Sequence, residues 1–171
     1  MPTYTAADAE CLVYTFKEGL LSKVAHDLKL RVATFELTVA EDAIEGRFDP
    51  SSLRVVCARK DGQDDPSVLS ESDKAKIKKN IRADVLQTKR YDSITFRSTE
   101  VARDSDQATV RGELTLHGVT RPIVAQVRRE GSWWQTEVTL HQPDFGIKPF
   151  SAMLGALKVQ PDVRVQLRVP A

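Results

Sequence analysis

Most of this chain alternates apolar and polar residues with a period of two. Near its end, Val163, Val165, Leu167 and Val169 alternate with Arg164, Gln166 and Arg168. That is the pattern of a strand with one face in a core and the other in water. Val110, Gly112, Leu114 and Leu116 share one parity, and Arg111, Glu113, Thr115 and His117 the other. Between residues 28 and 39 the parity flips: Leu28, Leu30 and Val32 fall on one side, Phe35, Leu37 and Val39 on the other. The flip predicts one strand bulged or sharply bent at Ala33-Thr34, a device that curves a sheet. Further strands are expected over residues 12–16, 43–48, 53–58, 93–101, 123–129 and 133–141. That makes about nine strand-like runs. Turn signals separate them at Asp49-Pro50, Arg103-Asp104-Ser105-Asp106 and Glu130-Gly131-Ser132.

One segment departs from the pattern. Residues 70–88 carry helical spacing, with Ile77, Ile81 and Val85 on one narrow face. Ser70 or Ser72 can cap the start, and Asp73 suits the positive end of the helix dipole. A second, marginal helical turn is expected over residues 19–25, where Leu20, Leu21 and Val24 have the spacing.

A chain with many short strands and one helix cannot cover a broad apolar sheet face with helices. It can close the sheet on itself, greasy inside and wet outside. The expected fold is therefore all-β, an antiparallel barrel or sandwich with one amphipathic α-helix between strands. An eight-stranded barrel is about the size at which the interior is either just filled by side chains or holds one small ligand, and periodicity does not choose between the two. The 171 residues suit one domain over the whole length.

Composition narrows the functional classes. The 25 basic and 24 acidic residues nearly cancel, so no global charge draws the chain to nucleic acid. Cys11 and Cys57 lie far apart and match no C-x-x-C spacing, which favours two reduced, partly buried thiols. Residues 1–10 have neither a basic n-region nor an apolar h-region, so a cytoplasmic location is expected; a leader trimmed from the chain would make it periplasmic.

Four motifs, in order along the chain, resemble those of the YceI-like family of lipocalin-like, polyisoprenoid-binding proteins. Arg90-Tyr91-Asp92-Ser93-Ile94-Thr95-Phe96-Arg97-Ser98 resembles the strand that follows the family's helix. Gly112-Glu113-Leu114-Thr115-Leu116-His117-Gly118-Val119-Thr120-Arg121-Pro122 resembles its most diagnostic hairpin. Pro143-Asp144-Phe145-Gly146-Ile147 resembles its D-F-G element, and Asp162-Val163-Arg164-Val165-Gln166-Leu167 its last strand. Thr34 stands before Phe35 where the family has glycine, and residues 20–28 depart from its usual N-terminal pattern. The resemblance implies a lipocalin-like, eight-stranded antiparallel β-barrel with one amphipathic α-helix and a long apolar tunnel that binds, carries or stores a polyisoprenoid, such as an isoprenoid quinone, without covalent chemistry or a cofactor. It also makes a homodimer plausible.

On that basis Leu30, Val32, Phe35, Ile94, Phe96 and Leu114 are candidates to line the tunnel, as are Leu116, Trp134, Val138, Phe145, Phe150 and Leu154. The competing reading makes the same side chains a packed core. Met153, Leu154 and Leu157 would form a lip at one end or a strand under the helix. A second functional class is a small barrel enzyme for a hydrophobic substrate, with His26 and Asp27, or His117, as acid or base. Ser22 lies four residues before His26, but no G-x-S-x-G elbow is present. His26, His117 and His141 share no ligand spacing on one element, which argues against metal. Lys74, Lys76, Lys78, Lys79 and Arg82 make the helix locally basic, suited to brief contact with a membrane surface. Glu71, Asp73 and Asp84 among them equally fit a solvated face.

Overall fold

The alternating runs become strands of a single sheet. The computed structural model describes residues 1–18, 25–152, 155 and 157–171. In chain order the strands are β1 (Thr3–Thr5), β2 (Glu10–Thr15), β3 (Asp27–Val32), β4 (Phe35–Val39), β5 (Ile44–Phe48), β6 (Leu53–Lys60) and β7 (Gln63–Asp65). After the helix α1 (Glu71–Asn80) come β8 (Ile94–Arg103), β9 (Gln107–Leu116), β10 (Val119–Glu130), β11 (Trp133–His141), β12 (Ser151–Ala152), β13 (Leu157–Lys158) and β14 (Asp162–Pro170). Twelve strands form one antiparallel sheet in the order β1-β4-β5-β8-β9-β10-β11-β14-β2-β3-β6-β7, while β12 and β13 pair separately.

The sheet is all-β and curled, as expected, but it does not have eight strands. The run 28–39 is not one bent strand: it is β3 and β4, which lie near opposite ends of the strand order. Ala33-Thr34 carries the chain from one end of the sheet to the other, so the parity flip marks a crossover. The remaining additions, β1 and β7, are three residues each and mostly polar, so apolar alternation does not announce them.

A second crossover runs beside the first. Asp49 leads from β5 through a tight turn, Pro50–Ser52, into β6. Its carboxylate accepts from the Ser51 N–H at 2.9 Å. The two crossovers bond each other: Ala33 N–H donates to the Ser52 carbonyl at 3.3 Å, Thr34 N–H to Ser52 Oγ at 3.0 Å, and Asp49 N–H to the Thr34 carbonyl at 3.0 Å. Together they draw the two ends of the sheet into a curl. Val32, Phe35, Leu53 and Val55, from strands at both ends of the order, accordingly share one buried cluster.

The helix begins where the sequence places it. Ser70 Oγ accepts from the Asp73 N–H at 3.1 Å, and the Asp73 carboxylate accepts from the Ser70 N–H at 3.0 Å, a reciprocal capping box. Past Asn80 the helix widens into a π-helical turn, Ile81–Val85, closed by Leu86 N–H to the Ile81 carbonyl at 2.8 Å. The widened turn carries both Val85 and Leu86 onto the apolar interior, beside Leu114, Leu116 and Phe145. Gln87, with φ 49°, ends it. No helix among the described residues is long and apolar enough to cross a membrane. The helical turn expected over residues 19–25 falls almost wholly outside the described residues.

Two tight hairpins have both central residues at positive φ: His117-Gly118 between β9 and β10, and Asp61-Gly62 between β6 and β7. That is the turn whose twist matches paired strands. Gly112 has a different task. A Cβ there would lie 2.5 Å from Phe96 Cζ and 2.5 Å from the Arg97 carbonyl oxygen, so the missing side chain makes room for the Phe96 ring. Gly112→Ala should therefore destabilise the fold by ~1–3 kcal/mol, the range for overpacking. Thermal unfolding should show a drop of several degrees, and an unchanged midpoint would mean that both the ring and the Arg97 carbonyl give way freely.

Candidate functional site

The strands turn one face inward, and the inward side chains do not fill the space they enclose. A cavity of about 880 Å³ remains, near the upper end of the ~300–1,000 Å³ range of small-molecule pockets. Its wall comes from strands all around the curl. Val110 and Leu114 of β9, Ile123 of β10, Val138 of β11, Val165 of β14 and Val13 of β2 lie on it in turn. Ile77, Ile81, Val85 and Leu86 of the helical segment close one side. Two polar groups of the wall are satisfied within the protein: Thr136 Oγ1 donates to the Gln126 carbonyl at 2.8 Å, and Gln142 Nε2 to the Gln160 carbonyl at 3.1 Å.

Most of the candidate lining residues come together on this wall: Leu30, Val32, Ile94, Phe96, Leu114, Leu116, Trp134, Val138 and Phe150. Two do not, and the expectation is corrected for them. Phe35 opens β4 directly after the crossover and stacks on Phe48, ring centroids 5.7 Å apart, inside the cluster that joins the sheet ends. Phe145 sits on a short 3-10 turn, Gln142–Phe145, and is 2% exposed among Leu114, Leu116, Leu140 and Ile147. Both aromatic rings fill core, not wall. Leu154 and Met153 lie outside the described residues, while Leu157 of β13 reaches the cavity.

Sequence reasoning passed over part of the wall whose signal was present. The alternation of Val163, Val165, Leu167 and Val169 and the stripe Ile77, Ile81, Val85 both mark inward faces, and all seven line the cavity. His26, Asp73, Lys76 and Asn80 also border it; nothing local in the sequence marks them, because they depend on where the helix docks.

The residues a catalytic reading would need are not brought together. His26 borders the cavity, but the Asp27 carboxylate accepts from the Lys17 N–H at 2.8 Å where β3 begins. Ser22 lies outside the described residues. His117 is held in the hairpin, its ring tilted 48° against Tyr91 at 4.2 Å between centroids. Its Nδ1 is 3.3 Å from the Phe145 carbonyl and its Nε2 3.0 Å from Gln87 Oε1. It ties the end of the helical segment to the β9–β10 turn. His141 pairs with Asp162 at 2.7 Å. Among the described residues no group of three His, Cys, Asp or Glu side chains could hold a metal ion.

The model of the YceI-like domain matches residues 14–171. The chain belongs to the YceI-like family. Protein YceI of Escherichia coli O157:H7 is 34% identical over 89 residues, which are 46% of this chain and 47% of that protein. The match thus spans about half the length of such curated relatives. Solved structures align over nearly the whole YceI-like chain. BcnA of Burkholderia cenocepacia is 14% identical, with a TM-score of 0.68, covering 97% of this chain and 98% of that one. A polyisoprenoid binding domain from Saccharophagus degradans is 12% identical, with a TM-score of 0.59, covering 98% and 94%. At those identities the likeness is one of fold.

Cys11 and Cys57 are free, buried thiols. Cys11 lies on the inner face of β2 against the cavity, and burial, aided by the Glu10 carboxylate, pushes its pKa from 9.0 up to about 12. The folded state thus holds the neutral thiol while the unfolded chain ionises near 9. Its contribution to stability is full below pH 9 and is lost as the pH rises toward 12. The loss should approach about 1.4 kcal/mol per pH unit at most. Urea unfolding of the wild type and Cys11→Ala at pH 8 and pH 10.5 measures it: the gap between the two proteins should narrow at the higher pH.

Proposed function

We propose that this protein binds a long apolar lipid in the interior of the curled sheet and carries or stores it without covalent chemistry. A polyisoprenoid is the best candidate, an isoprenoid quinone among them. What supports this above all is the cavity of about 880 Å³ with its mainly aliphatic and aromatic wall. Membership of the YceI-like family and the fold shared with a polyisoprenoid binding domain add to it. Energetically, burying about 400 Å² of hydrocarbon is worth ~10 kcal/mol at about 25 cal/mol per Å². That gain is set against an association cost of ~4–15 kcal/mol, so a flexible chain must be buried along most of its length. The basic helix face fits brief contact with a membrane surface during loading.

Native mass spectrometry of freshly purified protein, followed by organic extraction, tests the proposal. Bound species with isoprene-unit mass spacing are expected, or uptake of an added polyprenyl quinone by protein that arrives empty. Leu114→Asp, which puts a carboxylate on the wall, should abolish that uptake in whatever fraction stays folded. Protein that arrives bare and refuses added polyprenyl lipids would overturn the proposal.

A further inference from the structure

The pairing of β2 with β3 begins at Leu12 and Arg31, so Glu10 and Cys11 have no partner on β3. Between them and the end of β3 lies a second, smaller hollow of about 250 Å³. Three alanines leave the room for it: Ala6 and Ala9 of the turn between β1 and β2, and Ala33 of the first crossover. At ~30 Å³ per water it holds roughly eight waters. That is below the ~300–1,000 Å³ of small-molecule pockets. The hollow suits an ion or a head group, not a whole nucleotide or lipid.

Its charged residues are Glu10, Arg31 and Arg54. Arg31 and Arg54 are partners across the β3–β6 ladder. Their neighbours Leu30, Val32, Leu53 and Val55 belong to the buried cluster, so both arginines stand on the outer face. Like charges set directly opposite each other destabilise a ladder. One carboxylate offsets part of this: Glu10 Oε2 lies 3.4 Å from Arg31 Nη2. Arg54 makes no hydrogen bond or ion pair with another described residue. Asp8, the acid of the neighbouring turn, does not border the hollow, and its carboxylate accepts from the Thr5 N–H at 3.4 Å. Two guanidinium groups thus share one carboxylate in a concave site open to water. An anion there relieves their repulsion without any charge being buried.

We infer that this hollow is an oxyanion site, in which Arg31 and Arg54 hold a phosphate or diphosphate group between them. The paired N–H donors of a planar guanidinium match two oxygens of one such group. Glu10 tunes the site, because it competes with the anion for Arg31. The inference stands apart from the lipid-binding proposal, since the hollow is separate from the cavity. Cys11 and Val32 border both spaces. The phosphate group therefore has two sources, a free ion or the head of a prenyl chain whose tail lies in the cavity.

Calorimetric titration of the full chain with pyrophosphate at low salt tests the site. One ion per chain should bind, with an affinity that falls as salt is added. Arg54→Gln should weaken it about tenfold. Arg128→Gln removes an exposed arginine of β10 outside the hollow and should change nothing. Glu10→Gln should tighten binding several-fold, a gain that misfolding cannot produce. Geranylgeranyl diphosphate then separates the two sources. If the site takes a prenyl head, this compound binds tighter than pyrophosphate, and Leu114→Asp removes the excess while leaving pyrophosphate binding intact. If it takes a free ion, the tail adds nothing. No saturable binding of either compound would overturn the oxyanion site. So would Arg54→Gln binding as the wild type does, Arg128→Gln losing as much as Arg54→Gln, or Glu10→Gln gaining nothing.

Discussion

The curl depends on two short crossovers that hold each other. A twelve-stranded sheet left to its own twist would splay open, and its apolar face would stay wet. Here Ala33-Thr34 and Asp49 to Ser52 carry the chain between distant positions in the strand order, and their backbone groups are exchanged between the two crossings. No donor is wasted at a place where the ladder cannot supply partners. The buried contacts of Val32, Phe35, Leu53 and Val55 form only because this junction brings their strands together. The helix then has an interior to cover, and its apolar row has something to face.

A curled sheet of this circumference encloses more volume than Leu, Val, Ile and Phe on its inner face can fill. Side chains that might have met across the interior line a space. Gly112 carries no side chain, which makes room for the Phe96 ring on the wall. Phe35 and Phe145 instead plug the places where strands begin or turns fold under. Core and cavity are thus built from the same residue types, and only position separates them.

That division explains what was legible in the amino-acid sequence. Period-two alternation finds the long strands and their inward faces, because burial on one face imposes it. It misplaces the run 28–39, since a flip of parity looks the same whether the strand bends or leaves for another part of the sheet. It misses β1 and β7, whose residues bury little. The Asp61-Gly62 turn was nonetheless a local sign of a hairpin after β6. Phe35 and Phe145 have the right chemistry for a wall, and only the tertiary contacts send them to the core. That His26, Lys76 and Asn80 border the cavity depends on where the helix docks, which no local pattern encodes.

A sheet curled by crossovers, with no described ladder joining β1 to β7, still has two free borders. Each border is an unpaired row of backbone groups able to recruit a stranger's strand. In this chain the outermost strands are short. β1 offers three residues, and β7 offers Gln63, Asp64 and Asp65, with Asp64 pinned by Lys29 at 3.0 Å and Arg59 at 3.1 Å. The consequence is a fold whose outermost strands, though unpaired, give neighbouring chains little length on which to template self-propagating growth.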